Sequence, residues 1–389
     1  MEFELWYLVV LPLVFAAGWF GRAFESRMRA ADNAALPHSY FRGLNLLLND
    51  QHDKAIDAFI EVVKLDPETI ELHHALGNLF RRRGEFDRAV RIHTHLLNRA
   101  DLPARERSRA LAELGQDYLK GGLLDRAEDA FTRLLEDRNH RFEAQRALLR
   151  IYQMEREWSK AIDCARRLES EAGENHQTAI AHFRCEIAEA AIASGRFDEA
   201  QAAVDDALAT DRKSVRGLIL AGDLAERQGE AEEALRLWRR VEGASREHLP
   251  LIASKVSATL DRLGRRDEAL NWLRRSLSDA PSIDLLDTAY ARTAEWQGAA
   301  AAETLVADEL KRHPSLLGFE RLAEARLALN PGDEELASMS ALLKGHARKL
   351  ARFRCNKCGF RTREYHWNCP GCSSWDSYPP RRVEEVDGA

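Results

Sequence analysis

The chain lacks a cysteine framework, an excess of basic charge and the compact signatures of catalysis. With 389 residues it can bury a large core without disulfides, so a small stapled secreted scaffold is excluded. Lys and Arg number 57 against 63 Asp and Glu, a net charge of -6, which argues against a generally basic nucleic-acid binder. Proline is scarce at 11 residues while Ala, Leu, Glu and Arg abound, and straight-chain residues lose little rotamer freedom in a helix, so an all-α body is predicted. An apolar share of 45% beside 31% charged residues excludes both a disordered chain and a polytopic membrane protein. No Gly-rich phosphate loop, His-Glu-x-x-His pair or nucleophile motif occurs. No catalytic residue is predicted, and the chain reads as a non-enzyme.

Long apolar runs are as rare, with one exception. Leu5 to Gly21 carries 17 residues without a charge, and with Phe3 it approaches the ~20 needed to cross a bilayer. A cleaved signal peptide needs a basic start, whereas Glu2 and Glu4 precede this run and Arg22, Arg27 and Arg29 follow it. The same asymmetry places the long C-terminal part on the cytoplasmic side. Trp6, Tyr7, Trp19 and Phe20 lie near the two ends, where aromatic belts form, and Pro12 is tolerable in a membrane helix. Against the alternatives of a signal peptide or a buried core helix, residues 1–21 are predicted as an uncleaved single-pass anchor and 22–35 as a juxtamembrane linker.

Beyond the linker the chain is periodic. Ala55, Ala89, Ala127, Ala161, Ala200, Ala234, Ala269 and Ala302 recur at 33 to 39 residues, most often 34. Gly43, Gly77, Gly115 and Gly222 stand twelve before their alanines, where paired helices approach closely. Gly84, Gly122, Gly195, Gly229 and Gly264 stand five before, where the chain turns through a left-handed conformation. A large residue follows by four, as in Phe59, Phe131 and Trp238, and Pro67 and Pro314 close their repeats. Leu76 to Ile92 and Leu114 to Phe131 carry this pattern in full, and it resembles the tetratricopeptide repeat. The fourth repeat departs, with Leu149 and Arg156 at its two glycine sites, the fifth has Ala188 at the first, and Leu316 to Leu350 forms a degenerate last pair or cap. Eight to nine repeats over residues 36–350 imply a right-handed superhelical solenoid whose concave groove binds a partner.

Repeat register places His74, Asn78, Arg81, Arg82, Gln116, Lys120, Arg146 and Arg150 on that concave surface. A polar, basic lining suits an acidic partner segment, and the competing reading is an ordinary solvated helix face. His73, His74, His93 and His95 look like a cluster, but register is expected to scatter them over different faces. Cys164 and Cys185 sit alone in helical patterns and are expected to be small buried hydrophobes.

The remaining four cysteines, Cys355, Cys358, Cys369 and Cys372, form two C-x2-C pairs ten residues apart, a strong tetrahedral metal signature. A cytoplasmic location disfavours disulfides, and a segment of about 35 residues has too little core to fold without a metal. One ion, zinc or iron, is expected. The knuckles around Gly359-Phe360 and Pro370-Gly371, with Tyr365, Trp367 and Trp375 nearby, resemble a rubredoxin-like or zinc-ribbon module over residues 351–380, followed by a tail at 381–389. A short gap between knuckles, and Ser373 where glycine is usual, make electron transfer doubtful and favour a closed structural site. Residues 344–389 hold 10 basic and 5 acidic residues. The anchor and groove make lipid headgroups, the acidic solenoid or a protein partner better candidates for that charge than nucleic acid.

Anchor, tetratricopeptide array and rubredoxin-like end, in that order, resemble the lipopolysaccharide assembly protein B family of Gram-negative bacteria along essentially the whole chain. The resemblance implies a cell inner-membrane protein with a periplasmic N-terminus and a cytoplasmic body. It also implies work with the membrane protease FtsH to promote degradation of the LpxC deacetylase, which limits lipopolysaccharide synthesis. Two rival expectations are a scaffold docking envelope-biogenesis enzymes without a proteolytic role, and a membrane-tethered redox protein. Self-association is left open.

Overall fold

The computed structural model describes residues 42–387, apart from 44, 47, 50, 66–68 and 351. The anchor at 1–21 and the linker at 22–35 lie outside the described residues. Among the described residues, no helix is long and apolar enough to cross a membrane.

Two compact units divide the chain, Met1–Glu155 and Arg156–Ala389. In the first, α1 (His52–Leu65) is followed by the pairs α2 (Ile70–Arg82) with α3 (Phe86–Leu97) and α4 (Ala104–Lys120) with α5 (Leu124–Leu134), then by α6 (Arg141–Glu155). The second opens with α7 (Trp158–Ala172) and continues with α8 (Gln177–Ala193) and α9 (Phe197–Thr210), then α10 (Val215–Arg227) and α11 (Ala231–Ala244). A 3-10 turn, Arg246–His248, leads to α12 (Pro250–Arg262) and α13 (Arg266–Asp279), α14 (Ile283–Gln297) and α15 (Ala299–Arg312), and α16 (Leu316–Leu329) and α17 (Glu334–Leu350). A small module with strands β1 (Phe353–Arg354) and β2 (Arg361–Thr362) and a last short helix α18 (Val383–Asp387) ends the chain. The fold is the tetratricopeptide solenoid that the period predicts.

All eight periodic alanines are fully buried, because each faces the other helix of its pair at closest approach. The glycine twelve residues earlier is the matching notch. A Cβ on Gly222 would lie 2.3 Å from Trp238 Nε1, and one on Gly115 would lie 2.9 Å from Phe131, so the large residue four after the alanine fills space that only glycine leaves free. Buried Trp238 donates its N–H to the Ile219 carbonyl at 3.2 Å. At the turns, the five glycines have φ between +73° and +85°. Arg156, standing in for glycine in the fourth repeat, is held at φ +60° and keeps the same turn at a steric cost.

Successive first helices are tied one period apart by charge. Arg81 on α2 reaches Glu113 at 2.6 Å and Asp117 at 2.8 Å on α4. Lys255 on α12 reaches Asp223 at 2.8 Å on α10, Arg262 pairs with Glu226 on the same two helices, and Arg321 on α16 grips Asp287 on α14.

The four histidines form no single cluster, as expected, but stand in two separate pairs. His93 occupies the large-residue position of its repeat, against Gly77, and its Nδ1 lies 2.5 Å from buried Asp117. The His74 ring is 5.8 Å from that of His93, and His73 is 5.8 Å from His95. Burial, with Arg109 and His93 nearby, pushes the His74 pKa down to about 4. Its Nε2 is 3.6 Å from Glu106, too far for a hydrogen bond, so the ring stays neutral.

Candidate metal centre

Two knuckles of the same construction face each other. Antiparallel β1 and β2 pair Phe353 with Thr362 and Arg354 with Arg361, which brings Cys355 and Cys358 to the tip of the hairpin. Cys355 and Gly359 close the first knuckle, with Gly359 N–H donating to the Cys355 carbonyl at 2.9 Å. Cys369 and Ser373 close the second in the same way at 2.8 Å. The first turn uses Gly359 at φ +74° and the second forces Ser373 to φ +54°, which explains why glycine is usual there.

The four sulfurs lie within 4.8 Å of one another. Cys355 Sγ is 3.8 Å from Cys372 Sγ and Cys358 Sγ is 3.6 Å from Cys369 Sγ. A tetrahedron with metal–sulfur bonds of 2.3 Å has edges of about 3.8 Å, so the donor set fits a thiolate-bound ion. Lys357 N–H points at Cys355 Sγ at 3.4 Å and Gly371 N–H at Cys369 Sγ at 3.3 Å, as donors to thiolates should. Against the upward push of burial, hydrogen bonds from Ser377 and from the Cys358 and Lys357 backbone hold the Cys355 thiol down at about 6. Phe360 N–H pulls Cys358 down, but slight desolvation and the sulfurs of Cys369, Cys372 and Cys355 outweigh it and hold that thiol at about 12. Four sulfurs this close cannot all ionise without a cation between them. Zinc and iron both satisfy this geometry.

The module is docked on the repeats of its own unit. Trp375 stacks on His182 of α8 at 4.8 Å and 18°, with Phe183 and Trp158 edge-on at 5.8 and 6.2 Å. Trp367 lies flat on His248 at 5.7 Å and 3°. Polar contacts fix the rings: Asp376 is 2.9 Å from His182 Nε2, and the Tyr365 hydroxyl is 3.3 Å from His248 Nε2, whose Nδ1 meets Ser245 at 2.8 Å. Burial keeps the His248 pKa below its ordinary value, although Asp376 and Glu247 pull the other way. Sequence reading singles out the three aromatics but misses His182 and His248, which sit more than a hundred residues away in sequence without a local pattern.

The proposed groove residues divide. Arg82, Lys120, Arg146 and Arg150 are exposed, and Gln116 is partly so. His74 is corrected: only 1% exposed, it belongs to the interior because the bulky ring packs beside His93. Arg81 is four-fifths buried and committed to Glu113 and Asp117, with Asn78 accepting from it. Cys164 and Cys185 are buried, and desolvation raises the Cys185 thiol to about 12, the state of an inert hydrophobe.

Helix pairs of 34-residue period, ending in a docked four-thiolate module, define a tetratricopeptide-repeat protein with a rubredoxin-type metal centre. The tetratricopeptide repeat family matches residues 72–108 and 185–247, and the rubredoxin metal binding domain family matches 353–379. Lipopolysaccharide assembly protein B of Escherichia coli K12 is 36% identical over 395 residues, covering 99% of this chain and 99% of that protein. The protein of that name from Haemophilus influenzae is 28% identical, covering 98% and 99%. The chain belongs to the lipopolysaccharide assembly protein B family.

Proposed function

We propose that the protein is a membrane-anchored, non-catalytic adaptor of lipopolysaccharide assembly, which limits synthesis by promoting FtsH-dependent proteolysis of the LpxC deacetylase at the inner membrane. The observation that carries this reading is the full-length kinship, which spans the repeats and the metal module together. An adaptor needs two binding surfaces on one chain. The metal module is held on the repeats of its own unit, and the exposed cations Arg82, Lys120, Arg146 and Arg150 offer a surface for an acidic segment. Cys355, Cys358, Cys369 and Cys372 would hold zinc or iron as a staple that supplies folding free energy to a module with little core. An anchor at 1–21 would raise the effective concentration of these surfaces near membrane partners.

The test is to deplete the protein and follow LpxC lifetime after translation is stopped. A lengthened lifetime with raised lipopolysaccharide is expected. An unchanged lifetime together with mislocalised envelope-biogenesis enzymes would replace this reading with a purely scaffolding one.

A further inference from the structure

Residues 381–387 leave the metal module and cross the amino-terminal ends of two helices. Glu385 accepts from the Ile283 N–H at 2.7 Å, the first residue of α14. Glu384 accepts with one oxygen from Leu316 N–H and with the other from Leu317 N–H at 3.0 Å, the first two residues of α16. These backbone donors have no partner within their own helices, and each helix end carries partial positive charge, so both favour a carboxylate. Neither helix satisfies them itself: Ser282 makes no capping bond and its buried hydroxyl lacks a partner, while Ser315 caps only Gly318.

The same segment is fastened on its other side to the metal module. Arg382 adds a further tie to α14 through the Asp284 carboxylate at 2.7 and 2.9 Å, while its guanidinium lies 4.0 Å over the Phe353 ring of the module. Val383 N–H donates to the Arg352 carbonyl at 2.7 Å, and the Val383 side chain is buried. Beside the two glutamates a cavity of about 470 Å³ remains open, with Arg312 on its wall and His313 there beside Glu309. The cleft therefore keeps a cation, Arg312, that the two carboxylates do not contact.

We propose that the cleft between the starts of α14 and α16 is a receptor for acidic peptide segments and that the chain's own residues 381–387 are its resident ligand, a latch holding the metal module on the last repeats. Being tethered, the latch competes at an effective concentration on the order of millimolar. An acidic partner segment would displace it only by also using Arg312 on the cavity wall. The proposal is independent of any proteolytic role.

Two measurements test it on the protein in detergent, with residues 1–380 always present. A chain lacking residues 381–389 is titrated with a synthetic 379–389 peptide, which should bind at one site, while the same peptide with Glu384→Gln and Glu385→Gln should bind at least about tenfold more weakly. In the full chain, the same double substitution should speed amide exchange at Ile283, Leu316 and Leu317 by about tenfold or more, and hasten metal transfer to a chelator at constant helix content. Equal binding of the two peptides, or unchanged exchange of those three amides, overturns the proposal.

Discussion

Replacing Trp375 with Ala should undock the metal module without emptying it. The ring makes one stacked contact with His182 and two edge contacts with Phe183 and Trp158, all on the repeats. At about 1 kcal/mol per aromatic pair the loss is about 3 kcal/mol, and docking should weaken by roughly a hundredfold. The sulfurs keep their own support from the backbone N–H groups of Lys357 and Gly371. Hydrogen exchange over residues 353–379 in the full chain is the assay, with metal content measured in the same sample. Faster exchange with one ion per chain retained is the expected pair of results. Exchange unchanged within about twofold would show that the stack contributes little to docking. Loss of the ion would show that Trp375 belongs to the module's own core, which also refutes the argument.

Cys369→Ser should release the ion and abolish protection over 353–379 while helix content barely changes, because solenoid stability is mainly a nearest-neighbour sum; circular dichroism and metal analysis check both halves. Ser373→Gly should stabilise the loaded module by about 1 kcal/mol, since glycine meets no steric penalty at φ +54°, and resistance to chelators reads the gain. Acid should loosen the second and third repeats through His74, whose pKa falls from 6.5 to about 4 on folding. A depressed histidine pKa gives stability that is full above 6.5 and is lost as pH falls towards 4, about 2 kcal/mol by pH 5. Thermal melts from pH 7 to 5 should therefore slope less in His74→Gln, and an unchanged slope would contradict the assignment.

The repeats are legible in the sequence because each carries its packing partners within itself. Ala, the glycine twelve before and the large residue four after recur whether or not the neighbours are known. The thiolate knuckles are legible for the same reason, since their spacing is local. His93 is not recognised as the core filler of its repeat because it occupies a position where Phe or Trp is usual. Arg81 reads as a groove residue because register fixes the face of a helix and says nothing of the carboxylates, 32 and 36 residues on, that claim its charge. Docking is hidden more deeply: His182 meets Trp375, and Ile283 meets Glu385, across separations with no period.

The charged ties between successive first helices constrain how such an array can change. Notch and filler belong to one repeat, so a single repeat can be copied or lost with its interior intact. The ties are different, because Asp223 answers Lys255, Asp287 answers Arg321 and Asp117 answers Arg81, each across a seam. They act as an address written half on each neighbour. A repeat moved to another place would still fold, yet it would confront its new neighbour with carboxylates or guanidinium groups lacking their complements. Rearrangement of the array should therefore proceed by blocks whose cuts avoid these seams.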